Sequence, residues 1–182
     1  MYDQFKTRAE AVSAEVHRFP TQTAALAFII EFLRSEDLAD APGQHAVWAY
    51  CPFLDGIDRQ QLAGIAGLKF AATREQAAEA GFGISQMDWA LADTGTLVQD
   101  ATAVDKRLVS TLPAIHIALA ATSSLLPDMP AWLNAIEPKN IGYISMITGP
   151  SRTADIERVL TIGVHGPARL IILFFDELGW TS

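Results

Sequence analysis

The amino-acid sequence predicts a single α/β domain with a mostly parallel β-sheet flanked by helices and with an N-terminal helical segment. Nearly continuous apolar runs, typical of strands buried on both faces, alternate along the chain with segments of helical spacing. No internal repeat or linker-like stretch divides the 182 residues, a length that suits one domain. We therefore expect residues 1–40 to form a helical segment packed on an α/β domain that comprises residues 41–182.

The first half of the chain is predicted to begin with two amphipathic helices, the second of which carries Leu26, Ile29 and Leu33 on one face. A first core strand then follows from the apolar run Ala46–Tyr50. In chain order, the elements predicted for this half are helices at 2–18 and 21–38, a strand at 46–50, a helix at 58–66, a short strand at 68–71 and a helix at 73–80 that ends at Gly81-Phe82-Gly83.

The second half begins with a predicted hairpin or sharply bent pair of strands, because two apolar runs flank Asp93-Thr94-Gly95. Gly95 is expected either to adopt a positive φ or to let a ligand approach the backbone, and simple turn chemistry is the alternative explanation for this motif. The further elements predicted here are a helix at 105–111, a strand at 113–120, a helix at 122–136, a buried strand at 143–147 and a final strand at 170–175.

The functional prediction depends on the segment from Tyr143 to Pro167. Its strand is expected to end in the turn Thr148-Gly149-Pro150, and a helix is expected to follow at once with Ser151 or Thr153 as its N-cap. Helical spacing and a glycine C-cap complete this pattern, through Ile156, Val159, Leu160 and Gly163.

A helix that begins directly after a Gly-Pro turn leaves main-chain N–H groups without partners, and Arg152 would add a bidentate donor beside them. Such a site suits a phosphate or a carboxylate, and His165 at the other end of the helix could converge on the same ligand. The alternative is purely structural, because Ser/Thr caps and acids such as Asp155 and Glu157 are ordinary features of a helix start.

His116 interrupts the apolar strand predicted at 113–120, so it is either a hydrogen-bonded core histidine or a side chain that points into a cleft. Because ligands of parallel sheets bind outside the carboxyl ends of the strands, we expect the candidate loops to lie there, namely residues 93–96, residues 148–153 and the segment after Gly163. The candidate ligand-binding residues are Thr94, Gly95, Thr96, His116, Gly149, Ser151, Arg152, Thr153, Asp155, His165 and Gly166.

Composition excludes several classes of function. The formal net charge of -8 argues against binding to nucleic acid or to an anionic membrane. No apolar run reaches the ~18 residues of a membrane span, and the N-terminus lacks the apolar region of a signal peptide, so the expected location is the cytoplasm. Cys51 is the only cysteine, which excludes an intramolecular disulfide and a cysteine-ligated cluster or zinc site within this chain. We expect Cys51 to be a small buried residue, and we expect no metal site.

The chain also resembles a known family over roughly residues 84–175. The motifs that carry the resemblance are Asp93-Thr94-Gly95-Thr96, the stretch from Arg107 through Ser110 to Pro113 and His116, the run from Gly149 to Glu157, and Gly163-Val164-His165-Gly166-Pro167. With these motifs the sequence resembles the LUD domain family, specifically its short LutC/YkgG-type lactate utilisation proteins. Lys106 stands where this pattern leads us to expect a glycine.

The resemblance implies a fold similar to the NagB/RpiA/CoA-transferase group, in agreement with the α/β prediction. It also implies participation in the oxidation of L-lactate to pyruvate, alongside partner subunits that carry iron–sulfur clusters. The chain itself is then expected to hold no cofactor and to bind a small carboxylate or anion. In this family a larger member joins the same domain to a cysteine-rich, ferredoxin-like region. The resemblance therefore implies that this chain is similar to the smaller subunit, which holds no cluster.

Two other functions stay open at this point, and no catalytic residue is assigned. The chain is either a structural or regulatory assembly subunit without a ligand of its own, or a stand-alone sugar-phosphate or CoA-ester enzyme of the same fold group. The latter would use Asp93 or Asp155 as a base, but the sequence offers no clear pair of nucleophile and base.

Overall fold

The computed structural model describes residues 1–58, 60–70, 73–153, 161–163 and 165–177. Their helices are α1 (Tyr2–Ala11), α2 (Gln22–Ser35), α3 (Gln60–Ala63), α4 (Arg74–Ala78), α5 (Val104–Thr111) and α6 (Met129–Ala135). Their strands are β1 (Glu15–Thr21), β2 (Ala46–Trp48), β3 (Leu68–Lys69), β4 (Phe82–Met87), β5 (Trp89–Leu91), β6 (Thr96–Asp100), β7 (Ile115–Ala121), β8 (Leu125–Leu126), β9 (Ile144–Ile147), β10 (Arg152–Thr153), β11 (Thr161–Ile162) and β12 (Arg169–Glu177).

A parallel sheet forms the centre of the molecule and confirms the predicted fold class. Its six strands lie in the order β1-β12-β7-β4-β2-β3, and every neighbouring pair is parallel. The central strands β7 and β12 are almost fully buried, which explains their continuous apolar sequences. The resemblance to the NagB/RpiA/CoA-transferase group stays a prediction.

Each face of this sheet is covered by different elements. On one face, Ile29 and Leu33 of α2 pack with alternate residues of the strands, such as Leu119. On the other face, α1 places Phe5 edge-on against Phe174 of β12, with ring centroids 5.1 Å apart. Successive residues of a strand therefore point to opposite faces of the sheet and belong to two separate cores.

A smaller, four-stranded sheet in the order β8-β5-β6-β9 lies on the α1 side of the domain. The predicted hairpin is present, because β5 and β6 pair antiparallel. The helix predicted at 122–136 is wrong in its first half, where a short 3-10 helix and β8 precede α6. Asp128 caps α6 by accepting a hydrogen bond from the Ala131 N–H at 2.8 Å, and Pro130 fits its first turn, so these two residues mark where the helix begins.

Two strands of the main sheet were mispredicted. The helix predicted at 2–18 ends at Ala11, and residues 15–21 form β1, an outer strand of the parallel sheet. The central strand β4 was missed, because Gly83, Ser85 and Gln86 break its apolar pattern. Gly83 is required there by packing, since a Cβ at this position would lie 1.9 Å from the Val109 carbonyl oxygen.

The segment that begins at Tyr143 differs from its prediction in two respects. The strand is present as β9, but it is an outer strand of the smaller sheet with Ile144 and Met146 exposed, so its predicted burial is wrong. The helix start predicted after Pro150 is also wrong, because Arg152 and Thr153 are extended and pair antiparallel with residues 161–162. Gly163 therefore follows a strand; the predicted helical positions Ile156, Val159 and Leu160, together with Asp155, lie outside the described residues.

Among the described residues, no helix is both long enough and apolar enough to cross a bilayer.

Candidate functional site

Two of the predicted ligand loops pack against the C-terminal end of α1. Gly95 has the predicted positive φ, +67°, and a Cβ there would lie 2.4 Å from the Ala9 nitrogen. Gly149 has φ +77°, and its Cβ would lie 2.6 Å from the Val12 carbonyl oxygen. The missing Cβ at both glycines thus makes room for the backbone of the N-terminal segment, and the space beside them is already filled.

The polar side chains of these loops also have protein partners. The Thr96 and Thr148 hydroxyls lie 2.8 Å apart and join the two turns, while Thr94 is exposed. Arg152 Nη2 donates a hydrogen bond to the Ser13 hydroxyl at 2.7 Å. The predicted anion-binding side chain therefore ties β10 to the connection between α1 and β1.

The remaining motif residues are brought together in a different place. The Ser151 N–H donates to the Pro167 carbonyl at 2.8 Å, and the Gly163 N–H donates to the Ser151 carbonyl at 2.9 Å. A Cβ on Gly166 would lie 3.2 Å from the Ser151 Cβ, so the two segments run side by side. The predicted motif at Gly149–Thr153 and the His165-Gly166-Pro167 motif are thus neighbours in space.

A cavity of about 500 Å³ opens beside this contact. It lies at the amino ends of β7 and β12, because Ala168 donates its N–H to the Ala114 carbonyl just before both strands begin. The prediction that the segment after Gly163 lies at the carboxyl ends is therefore wrong. Among the described residues that line this cavity, His165 alone has an ionisable side chain. The described lining residues are Ala78, Ala80, Thr111, Leu112, Ala114, Gly163, His165 and Gly166.

His116 has the environment of a core histidine. Its side chain is completely buried, and Nε2 lies 2.9 Å from the hydroxyl oxygen of Ser85, which is buried as well. Burial lowers the pKa of His116 to about 4, so the imidazole is neutral at physiological pH. Solvent does not reach this Ser–His pair, so the geometry does not support nucleophilic chemistry there.

The structure also reveals a polar corner that the sequence analysis missed. The Asp100 N–H donates to Asp88 Oδ2 at 2.7 Å, and Lys106 Nζ donates to the Asp100 carbonyl at 3.0 Å. Because the N–H and C=O of one strand residue point the same way, the Asp88 carboxyl and the Lys106 ammonium lie on the same side of β6. Burial raises the pKa of Asp88, and Lys106 opposes that shift.

This corner lies at the carboxyl end of β4, where the chain passes from the parallel sheet into the smaller one. In the sequence, this corner is indicated by an acid, Asp88, directly after a strand. The corner was missed because β4 itself was missed. Lys106, which departs from the expected family pattern, also reaches this corner. In the described ranges, no group of three or more His, Cys, Asp or Glu side chains converges as metal ligands would.

Cys51 is buried, as predicted, with 2% of its surface exposed. Burial raises the pKa of its thiol to about 11, so the reactive thiolate is scarce at neutral pH.

The LUD domain matches residues 2–175 of this sequence. The chain belongs to the LUD domain family. A relative named Lactate utilization protein C from Exiguobacterium sp. is 37% identical over 116 residues, which cover 59% of this chain and 49% of the relative. The protein of the same name from Bacillus pumilus is 25% identical over 193 residues, which cover 97% of this chain and 79% of the relative.

The chain spans about half the length of the Exiguobacterium relative. The same holds for Lactate utilization protein C from Anoxybacillus flavithermus, which is 38% identical over 104 residues and is matched over 47% of its length. A crystal structure of a DUF162 family protein from Deinococcus radiodurans superimposes with a TM-score of 0.62 over 96% of both chains. At 16% identity, this similarity shows that the LUD domain shares the α/β fold of that protein.

Proposed function

We propose that this LUD domain chain is a component of a lactate utilisation system and takes part in the oxidation of L-lactate to pyruvate. The proposal is supported by the family match over residues 2–175 and by relatives that carry the name Lactate utilization protein C. Beyond what those names state, we propose a reaction, a ligand and a binding site for this chain.

The proposal assigns electron transfer to partner subunits that carry iron–sulfur clusters. Oxidation of a 2-hydroxy acid to a 2-oxo acid releases electrons, and cysteine-ligated clusters need several thiolates. The single cysteine, Cys51, is buried and has a raised pKa. The clusters are therefore proposed to lie on partner subunits, and the proposed place of the reaction is the cytoplasm.

The ligand of this chain is proposed to be a small carboxylate in the cavity beside His165. The observation that carries this assignment is a cavity lined by Gly163, His165 and Gly166, whose ionisable lining residue, His165, is exposed. An imidazole N–H can donate to a carboxylate oxygen, and a protonated imidazole adds a charge-assisted bond. Arg152 is a weaker candidate for direct contact, because its guanidinium already binds Ser13.

Calorimetric titration of L-lactate and pyruvate into the wild type and two variants tests this site. His165→Ala should weaken binding about tenfold, as expected for the loss of one hydrogen bond to a charged group. Arg152→Ala is the matched control, which removes a cation near the same motif and should bind within about twofold of the wild type.

Saturable binding that is the same in His165→Ala and the wild type would contradict the cavity assignment. Binding that is lost in Arg152→Ala alone would move the site to the Arg152 guanidinium beside Ser13. A phosphosugar and a CoA ester belong in the same titration series, because a response to either would favour the stand-alone enzyme instead.

The packing of the two glycine turns on α1 favours a second candidate, an assembly or regulatory subunit without a ligand of its own. Gly95 and Gly149, which resemble ligand-loop glycines in sequence, both have structural reasons to be glycine. The absence of any heat of binding for lactate and pyruvate in the wild type, together with capture of an iron–sulfur protein from cells grown on lactate, would support this candidate.

A further inference from the structure

Strand β9 is an outer strand of the four-stranded sheet and has β6 as its neighbour. Residues 141–151, which include this strand, contain no charged side chain, although the formal net charge of the chain is -8. Natural sheets usually protect an outer strand with lysine, proline or a bulge, because its free main-chain groups can pair with another strand. Within β9 none of these devices is present.

The hydrogen-bonding register identifies which main-chain groups of β9 have no partner in the described part of the chain. The Ala101 N–H donates to the Tyr143 carbonyl at 2.9 Å, so residues 143, 145 and 147 direct their main-chain groups toward β6. Ile144 and Met146 then direct their N–H and C=O groups away from β6, toward the open edge. The other side of the ladder agrees, since the Val98 carbonyl of β6 accepts from Asp88 and thus faces away from β9.

The side chains of the same two residues form an apolar surface. Ile144 is 36% exposed and Met146 is 42% exposed, and as residues i and i+2 they lie on one face of the strand. Tyr143 directly precedes the strand; it is 53% exposed, and the guanidinium of Arg107 lies 4.7 Å from its ring centre. Free main-chain groups and exposed apolar side chains therefore occur at the same positions.

We propose that β9 pairs antiparallel with β9 of a second copy of this chain, about a two-fold axis at Ser145. In this register Ile144 faces Met146 of the other copy, and Met146 faces its Ile144. Both pairs are of the type that exchanges two N–H···O bonds, so the free groups of each strand are satisfied by those of the other. The two smaller sheets become one continuous sheet, and the contact is isologous.

A second copy suits this edge because the strand is complementary to itself. Its apolar residues are placed symmetrically about Ser145, so on both sides of the two-fold axis an apolar side chain of one copy faces an apolar side chain of the other. Two chains of net charge -8 repel one another, and the uncharged stretch 141–151 adds no charge of its own to that repulsion. The proposal does not depend on the lactate assignment, since β9 is distinct from the cavity beside His165.

Sedimentation analysis of the purified chain across a concentration series measures the pairing directly. The wild type should sediment as a dimer in reversible exchange with monomer. Met146→Lys should raise the dissociation constant at least about tenfold, because it places a charge on each side of the pairing. Leu133→Lys is the matched control: this leucine is 53% exposed on α6, and its replacement should leave the dissociation constant unchanged.

A cysteine at the two-fold axis tests the register. In the proposed pairing the two Ser145 residues face each other as a non-hydrogen-bonded pair, with Cα atoms about 4.5 Å apart, which is within the range of a disulfide. Oxidised Ser145→Cys should therefore give a covalent dimer, whereas Ser35→Cys, at the exposed end of α2, should not. Cys51 does not interfere because it is buried.

A wild type that stays monomeric at high concentration would overturn the proposal, and a strand of another protein would then be the occupant to seek. A dimer that Met146→Lys leaves intact, or a Ser145→Cys variant that forms no disulfide, would also overturn it. Circular dichroism melts of each variant confirm that a change in association does not come from unfolding.

Discussion

Two regions of this molecule contain short motifs of the same kind, and they differ in what lies next to their glycines. At the Thr-Gly turns of Gly95 and Gly149, the backbone of residues 8–12 occupies the space that a Cβ would fill. At Gly166, the nearest atom to such a Cβ is the Ser151 Cβ at 3.2 Å, and a cavity opens alongside. Similar sequence motifs thus serve packing in one region and border an open cavity in the other.

A glycine in a ligand-like motif is therefore not evidence for a ligand until its neighbours are known. Both uses demand the same residue, because both require a close approach to the backbone.

The largest effect is expected for Gly149→Ala in the packed region. The new methyl group would meet the Val12 carbonyl oxygen at 2.6 Å, and φ at +77° is unfavourable for alanine. We expect the free energy of unfolding, measured by urea denaturation, to fall by about 3 kcal/mol. Gly166→Ala, without a positive φ and with only a mild contact, should cost less than about 1 kcal/mol. Equal losses for the two variants would remove the distinction between the regions.

The next largest effect concerns the buried His116 and its pH dependence. Its folded pKa of about 4 lies below the ordinary value of 6.5, so the unfolded chain binds this proton more readily. The stabilisation is fully present above pH 6.5 and is lost as the pH falls toward about 4. The difference amounts to about 3 kcal/mol over this interval.

The measurement compares urea unfolding at several pH values for the wild type and for Ser85→Ala/His116→Leu, which removes both partners together. The stability of this double variant should change less with pH than that of the wild type between pH 4 and 6.5. His165→Asn, at the exposed imidazole, is the control and should keep the steep profile of the wild type. If the free energy of unfolding depends on pH in the same way in the wild type and the double variant, the His116 side chain is more accessible to solvent than the structure shows.

The smallest effect is expected for the hydroxyl pair that joins the two packed turns. Thr96→Val removes the 2.8 Å contact with Thr148 while keeping the volume of the side chain. We expect a loss of about 1 kcal/mol in the free energy of unfolding. In a double-mutant cycle, Thr148→Val should cost little more once Thr96 has been replaced. Additive losses would show that each hydroxyl is satisfied by something other than its neighbour.

Several elements could be predicted from sequence for a definite physical reason. Strands β7 and β12 are buried on both faces, and burial of this kind requires the continuous apolar runs that were recognised. Strand β4 lies equally deep but was missed, because α5 packs so closely that Gly83 has to replace an apolar residue. Its absence from the prediction also concealed the corner formed by Asp88, Asp100 and Lys106.

The helix predicted after Gly149 failed because the sequence pattern and the strand pairing compete over the same residues. Helical spacing is a local property, whereas Arg152 and Thr153 are held extended by pairing with residues 161–162. The prediction of an anion site at a helix start fails with it, since that site required the helix to begin directly after the turn.

Local patterns and motif order were enough to predict the fold class and the family, and they included the hairpin of β5 and β6 and the positive φ of Gly95 among the expected alternatives. The tertiary structure decided which motif residues are neighbours. Val12 approaches Gly149, Ser151 lies beside Gly166, and the free groups of β9 face outward, since each of these relations joins segments that are distant along the chain or depends on strand pairing. A sequence records the chemical groups of such sites, but their distances arise only when the sheet brings the segments together.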